Sequence, residues 1–342
     1  MQTSTAIARS TEHAASTFPS DELWEKLSHF EFDQPGPHPF SIRLAVENEW
    51  TGHHTWDVLE EYRKLLYLIA TVGNDLIGSP DIDIAWRLHL IYSESYRKNL
   101  CMEVLGKFIP HECHDGSEPA DVTMKRFQKT LQAYRAAFGE PPATLWQAPM
   151  AKGLPLLQRW QVTRALAQET KRIEKSFLTT PENIPAQHQL RWRNIRDFAL
   201  DKPNATYPFS RRLAEENDWT LAHALLVIRE YKRFMYLCAT SGYSVTPSLD
   251  VDEAWHLHQE NTDSYWEEFC KKTLGKLFGH SPGNGSKEDD FKFEAVYERT
   301  LHDYTQVFGP PPREVFGTPP RTVWGIANPS INWAERLQEA VA

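Results

Sequence analysis

Two histidines one residue apart, His256 and His258, lie in the stretch LDVDEAWHLHQENTDSYWEEFC, which covers residues 249–270. Imidazole nitrogens are common ligands of transition metals, so this stretch could bind an ion. Its acidic start predicts a helix, on which side chains two residues apart point about 200° away from each other. The two histidines therefore cannot bind one ion together. Asp252 and His256 are four residues apart, share one face of that helix and form a candidate ligand pair.

Three further side chains are candidates for the same site. His258, Cys270 and His280 would meet if this helix and the next pack antiparallel, and zinc, iron or copper accepts such ligands. The alternative interpretation is structural, because a buried histidine beside Trp255 commonly donates to a carbonyl and a helical cysteine commonly fills a core. No CxxC, HExxH or calcium-loop motif strengthens the metal interpretation.

The chain contains a second version of this stretch. Residues 39–111 align without a gap on residues 208–280 at an offset of 169 residues, and 33 of the 73 positions are identical. This identity predicts a tandem duplication. The candidate ligands have these counterparts in the first copy: Asp83 for Asp252, His89 for His258, Cys101 for Cys270 and His111 for His280.

One candidate ligand is replaced between the copies. Arg87 stands where the second copy has His256, and a guanidinium binds no metal. At the spacing of four residues we expect Arg87 to form an ion pair with Asp83. The same precedent favours a simple hydrogen bond between Asp252 and His256 as the alternative to a metal site.

The elements that position these residues are predicted to be helices. Apolar side chains in WDVLEEYRKLLYLIATVG recur every three or four residues, and strand-like alternation is scarce. The sequence therefore predicts an all-α protein with two tandem homologous helical domains joined by a connecting helix. The predicted boundaries are a flexible N-terminus at 1–20, the first domain at 21–148, a connecting helix and turn at 149–186, the second domain at 187–318 and a C-terminal tail at 319–342.

The composition excludes several classes of function. A net charge of -9 argues against nucleic acid or an anionic membrane as a partner. There is no signal-like or membrane-length apolar run, which predicts a cytoplasmic location. The four cysteines form no CxxC, so we expect them to be reduced. Glycine-rich nucleotide motifs are absent, so no organic cofactor is predicted.

The second copy resembles the glycine-rich domain-containing protein-like family, whose signature is a D-x-D-x-x-W-H-x-H run followed by a tyrosine and a cysteine. The signature positions implied by the resemblance are Asp250, Asp252, Trp255, His256, His258, Tyr265 and Cys270. The LGKLFGHSPG stretch with His280 is similar to bacterial members. The first copy matches at Asp81, Asp83, Trp86, His89, Tyr96 and Cys101 and departs at Arg87. No activity is established for the family, so the resemblance implies a domain identity and no reaction.

Three functions are compatible with these features. The leading expectation is a non-enzymatic helical interaction module that binds a protein or peptide partner. The second is a metal-dependent enzyme with His258, His280 and either Asp252 or His256 as ligands, and Cys270 as an outer candidate. The third is a metal-free acid/base enzyme with an imidazole and an aspartate in an aromatic-lined cleft.

Overall fold

The described part of the chain is built from helices. The computed structural model describes residues 19, 21–112, 118–149, 164–165, 167–173, 175, 183–202, 205–283 and 286–317, and no strand occurs among them. The prediction of an all-α protein is therefore confirmed. The predicted N-terminal segment, except for residue 19, and the predicted tail at 319–342 lie outside the described residues. Within those residues, no helix combines the length and the apolar character needed to cross a membrane.

The N-terminal half, residues 21–148, surrounds one long central helix. Its helices are α1 (Glu22–Ser28), α2 (Phe40–Glu47), α3 (Gly52–Val72), α4 (Pro80–Ile91), a first π-helix (Glu94–Val104) and α5 (Ala120–Phe138). Helix α3 lies at the centre and contacts α1, α2, α4 and α5. The side chains of the predicted apolar stripe on α3 are at most 1% exposed, namely Val58, Leu59, Tyr62, Leu65, Leu66 and Ile69.

In its described residues, the C-terminal half (187–318) repeats this order of helices and adds one short helix at its end. They are α6 (Gln189–Arg196), α7 (Phe209–Glu216), α8 (Leu221–Thr240), α9 (Leu249–Glu260), a second π-helix (Asp263–Leu274), α10 (Lys287–Phe308) and α11 (Arg313–Phe316). Helix α8 takes the central place of α3 and contacts α6, α7, α9 and α10. A threonine caps the start of each central helix. The hydroxyl of Thr51 accepts from the N–H of His54, and that of Thr220 accepts from the N–H of His223, in each case three residues further along the chain.

The segment between the halves is helical where it is described. Residues 164–165, 167–173 and 175, which lie in the segment predicted to be a connecting helix, have helical backbone. At the end of this segment the Asn183 N–H donates to the carbonyl of Val307, 2.7 Å away. This bond attaches the end of the segment to α10. The rest of the predicted helix and its turn lie outside the described residues.

The two halves meet through reciprocal hydrogen bonds. The N–H of Ser93 donates to the His280 carbonyl at 3.3 Å, and the N–H of Thr262 donates to the His111 carbonyl at 3.1 Å. In return, His280 N–H donates to Ser93 Oγ at 3.1 Å and His111 N–H to Thr262 Oγ1 at 2.8 Å. Thr262 and His280 are the counterparts of Ser93 and His111 at the offset of 169 residues. The pattern is therefore that of a self-complementary, two-fold interface.

Arg87 lies at this interface and does not make the ion pair that its spacing predicted. Its Nε is 2.8 Å from Glu260 Oε2 and its Nη2 is 3.2 Å from Glu216 Oε1, both in the other half. Asp83 instead faces the ring of His111 at 2.9 Å. The prediction of an Asp83–Arg87 pair was wrong. The spacing of residues along one helix does not show which carboxylates of the other half pack against that helix.

Glu260 is the centre of this ion cluster. Arg212 donates to it from α7, and Arg87 reaches it from α4. Burial raises the pKa of the Glu260 carboxyl, but the two guanidinium groups outweigh burial and hold it well below its usual range. The carboxylate is therefore charged and paired on both sides.

Replacing Glu260 with glutamine is expected to lower the free energy of unfolding by about 3 kcal/mol, because buried Arg212 and half-buried Arg87 lose their shared counter-ion. Urea denaturation measures this change. The matched control is Glu216→Gln, whose side chain is 34% exposed and which should cost no more than about 1 kcal/mol. Equal, small losses in both variants would contradict a stabilising role for the buried pair.

Candidate metal centre

Three side chains of the C-terminal half converge at the interface. Helix α9 presents Asp252 and His256 on one face, and the loop after the second π-helix brings His280 against them. His280 Nε2 lies 3.0 Å from Asp252 Oδ1 and 3.3 Å from His256 Nε2. His256 Nε2 lies 3.4 Å from Asp252 Oδ2. Within the described residues this is the group of histidine, cysteine and acidic side chains whose donor atoms could hold a metal ion.

The spacing of these atoms matches the ligand face of a small transition metal. A tetrahedral zinc ion with bonds of about 2.0 to 2.1 Å separates its ligand atoms by about 3.3 Å. Three contacts between the groups, of 3.0, 3.3 and 3.4 Å, lie close to that value, and the two that involve Asp252 end on its different oxygens, Oδ1 and Oδ2. With one ligand atom taken from each residue, the three atoms lie within 4.8 Å of one another, so all three side chains could reach one ion.

The proton positions on His280 also favour a cation at this point. Its Nδ1 lies 3.2 Å from the Ile91 carbonyl, which can only accept, so Nδ1 carries a proton. In the neutral ring Nε2 is then a lone pair, and it faces the carboxylate of Asp252 and the ring of His256. A carbonyl on the remote ring nitrogen is the arrangement commonly found for metal-bound histidine.

The charges of the other two side chains suit a metal ligand set. Burial lowers the pKa of His256 to about 3, so its ring is neutral at pH 7 and offers a lone pair. Burial raises the pKa of Asp252, but the facing rings of His256 and His280 outweigh this and bring it to about 2. The set therefore consists of two imidazoles and a carboxylate.

The group is partly open to solvent. The Asp252 side chain is 25% exposed, whereas those of His256 and His280 are 12% and 9% exposed. His280 also lines a cavity of about 310 Å³ together with Phe40 and Tyr92 of the N-terminal half. Asp252 is therefore the candidate ligand with the largest solvent-exposed fraction.

His258 lies outside this group, contrary to the hypothesis that it is a ligand. Its Nδ1 is 2.9 Å from the Tyr231 hydroxyl and its Nε2 is 3.2 Å from Ser264 Oγ. The side chain is fully buried among aromatic rings. His256 and His258 point to opposite sides of α9, as their spacing predicted. Both ring nitrogens of His258 form hydrogen bonds within the core.

Cys270 also lies outside the group. Its thiol is buried beside Tyr265 and the main chain of Phe278. Burial raises the pKa of the thiol to about 11, so at pH 7 it is protonated and is a poor metal ligand. The counterpart Cys101 has the same surroundings and the same raised pKa of about 11. Both thiols act as apolar core groups.

The buried histidines His89 and His258 predict a loss of stability in acid. Burial lowers both pKa values to about 3, and Lys232 contributes for His258. The unfolded chain binds these protons near pH 6.5, so the free energy of unfolding falls as the pH drops below 6.5. Between pH 7 and pH 5 the two residues should remove about 4 kcal/mol.

Urea denaturation at several pH values measures this effect, and His258→Asn provides the control. The variant will be less stable at every pH, but its loss between pH 7 and pH 5 should be smaller than that of the native protein by about 2 kcal/mol. An unchanged pH dependence in His258→Asn would contradict the assignment.

The first copy lacks the third ligand. His111 repeats the arrangement of His280, with Nδ1 2.8 Å from the Glu260 carbonyl and Nε2 2.9 Å from Asp83 Oδ1. His89 is buried between Tyr62 and Ser95 as His258 is between its own partners. The guanidinium of Arg87 replaces the ring of His256. Asp83 and His111 therefore form a hydrogen-bonded pair, with no third metal-ligating side chain beside them among the described residues.

Most of the motif positions have structural contacts that recur in both halves. Asp250 lies 2.8 Å from His223 Nε2, and Asp81 lies 3.0 Å from His54 Nε2. The indole N–H of Trp255 donates to Tyr265 and that of Trp86 to Tyr96, while each tyrosine donates to a backbone carbonyl. His256 is the motif position whose contacts have no equivalent among the described residues of the N-terminal half, where Arg87 takes its place.

Comparison with family models, curated proteins and solved structures found no match for this chain. The resemblance to the glycine-rich domain-containing protein-like family therefore stays a prediction.

Sequence reasoning missed the residues of the N-terminal half that contact this site. Ile91 and Ser93 hold His280, but nothing in their types indicates such a role. The one available signal was that the two aligned segments both have a hydroxyl-bearing residue at this position, Ser93 in the first and Thr262 in the second.

Proposed function

We propose that the protein is a metal-dependent enzyme that binds one transition metal ion through Asp252, His256 and His280. Zinc is the first candidate for this ion. The observation that carries the proposal is the convergence of these three side chains, whose ligand atoms all lie within 4.8 Å of one another. Two imidazoles and a carboxylate are the ligands of many catalytic zinc sites and of non-haem ferrous sites.

Three protein ligands leave a position for water or a substrate. A zinc ion lowers the pKa of bound water and polarises a carbonyl or phosphoryl oxygen, whereas structural zinc sites have four protein ligands. The protein's part is to supply two imidazole rings and one carboxylate, of which the carboxylate is partly exposed to solvent. We therefore favour a catalytic over a purely structural ion.

Elemental analysis of protein purified without a metal-binding tag tests the proposal. We expect about one zinc or iron per chain, either after purification or after addition of the ion and removal of the excess. Protein that stays folded and retains no metal under both conditions would contradict the proposal.

The open position has a separate test in cobalt-substituted protein. Azide is a small anion that binds at a free metal position, so its addition should change the visible spectrum of bound cobalt. A spectrum that azide leaves unchanged would indicate a closed, structural ion and would remove the enzymatic part of the proposal.

A second candidate is the interaction role, which a different feature favours. A cavity of about 510 Å³ lies between the halves, with Trp86 and Ile84 on one side and Tyr207 on the other. Its apolar walls suit a side chain of a bound peptide. Panning a displayed peptide library on the native protein and on Ile84→Trp, which fills the cavity, tests this role. Peptides that bind both proteins equally would contradict it.

A further inference from the structure

The ring of His280 is oriented from the opposite half of the molecule. Its Nδ1 lies 3.2 Å from the Ile91 carbonyl at the end of α4. Its own N–H donates to Ser93 Oγ at 3.1 Å, and its carbonyl accepts from the Ser93 N–H at 3.3 Å. Two successive features of the N-terminal half thus hold one ligand of the C-terminal half at both its backbone and its ring.

Ser93 is itself fixed in place. The residue is 6% exposed, and its Oγ also accepts from Gln259 Nε2 at 2.9 Å. Ser93 directly precedes the first π-helix, two residues after Ile91. A movement of Ser93 would therefore shift both the His280 backbone and the carbonyl that fixes the ring.

The other half supplies an internal control for this arrangement. Thr262 Oγ1 accepts from the His111 N–H at 2.8 Å, and Glu260 offers its carbonyl to His111 Nδ1 at 2.8 Å. The same contacts therefore occur at a position where Arg87 replaces the third ligand. Thr262 therefore holds the backbone of His111 as Ser93 holds that of His280, but no complete set of metal ligands lies beside His111 in the described part of the chain.

We infer that Ser93 is a positioning residue for the metal centre, so that the N-terminal half takes part in a site whose ligands all come from the C-terminal half. This inference rests on the proposed function. The hydroxyl fixes the place of His280, and the adjoining Ile91 carbonyl selects the ring tautomer whose Nε2 lone pair faces Asp252 and His256. Contacts that orient a metal ligand commonly affect metal affinity by 10-fold to 100-fold.

The test compares zinc affinities by competition with a chromophoric chelator in the native protein, Ser93→Ala, Ser93→Thr and Thr262→Ala. We expect Ser93→Ala to bind zinc about tenfold more weakly and Ser93→Thr to restore the affinity, because threonine performs the same task at position 262. Thr262→Ala loses the equivalent interface contact at His111, so it measures the effect of a weakened interface alone.

The outcomes separate the two claims. Native protein that binds no zinc overturns the proposed function and this inference together. Native protein that binds zinc, with Ser93→Ala and Thr262→Ala equal in affinity, overturns only the positioning role of Ser93. A specific loss in Ser93→Ala with rescue by Ser93→Thr supports it.

Discussion

Replacing His280 with alanine is expected to abolish zinc binding while the protein stays folded. The ring supplies one of the three converging ligands, 3.0 Å from Asp252 and 3.3 Å from His256. Loss of an outer contact alone costs 10-fold to 100-fold in metal affinity, so loss of a ligand should cost more than about 100-fold. Isothermal titration calorimetry with zinc measures the change.

The matched control for this variant is His111→Ala. His111 has equivalent backbone and ring contacts at the interface, but its Nε2 faces Asp83 alone, since Arg87 stands where the second histidine would be. We expect this variant to keep one zinc per chain. Equal loss of zinc binding in both variants would mean that the ion depends on the interface as a whole and not on the three ligands.

Replacing Arg87 with histidine is expected to create a second zinc site. Asp83 and His111 already lie 2.9 Å apart, close to the 3.0 Å between Asp252 and His280. The Glu260 carbonyl fixes the ring of His111 as the Ile91 carbonyl fixes that of His280. A histidine four residues after Asp83 would complete the same set, and calorimetry should show a stoichiometry of two ions per chain.

Arg87→Ala is the control for the lost ion pairs. Both variants remove one of the two arginine partners of Glu216 and Glu260 and should lose stability to a similar degree. Only the histidine variant should gain a second ion. A folded Arg87→His protein with one ion would show that Asp83 and His111 are not placed to bind metal, and it would weaken the same argument for the native triad.

The helical architecture could be predicted from the sequence because its signals are local. Residues such as Tyr62, Leu65 and Leu66 repeat at the helical period, and these side chains are fully buried. Gly106, just after the first π-helix, has a positive φ of 68°, a conformation that glycine adopts without strain. The pattern did not distinguish π-helix from α-helix, since both place apolar side chains at similar intervals.

The candidate site could be predicted only in part. The Asp252–His256 pair follows from a spacing of four residues on one helix, which fixes their common face. The position of His280 beside this pair depends on how a loop packs. Judged from the sequence alone, His258 and Cys270 were equally good candidate ligands. The contacts of Arg87 with Glu260 and of Ser93 with His280 join residues far apart in the chain, and no local pattern encodes them.

X-ray absorption spectroscopy at the zinc edge of the metal-loaded native protein tests the central claim most directly. The account predicts nitrogen and oxygen neighbours at about 2.0 to 2.1 Å with the outer scattering of two imidazole rings. A sulfur neighbour at about 2.3 Å, or scattering from fewer than two imidazoles, would contradict the assignment of Asp252, His256 and His280 as the ligands.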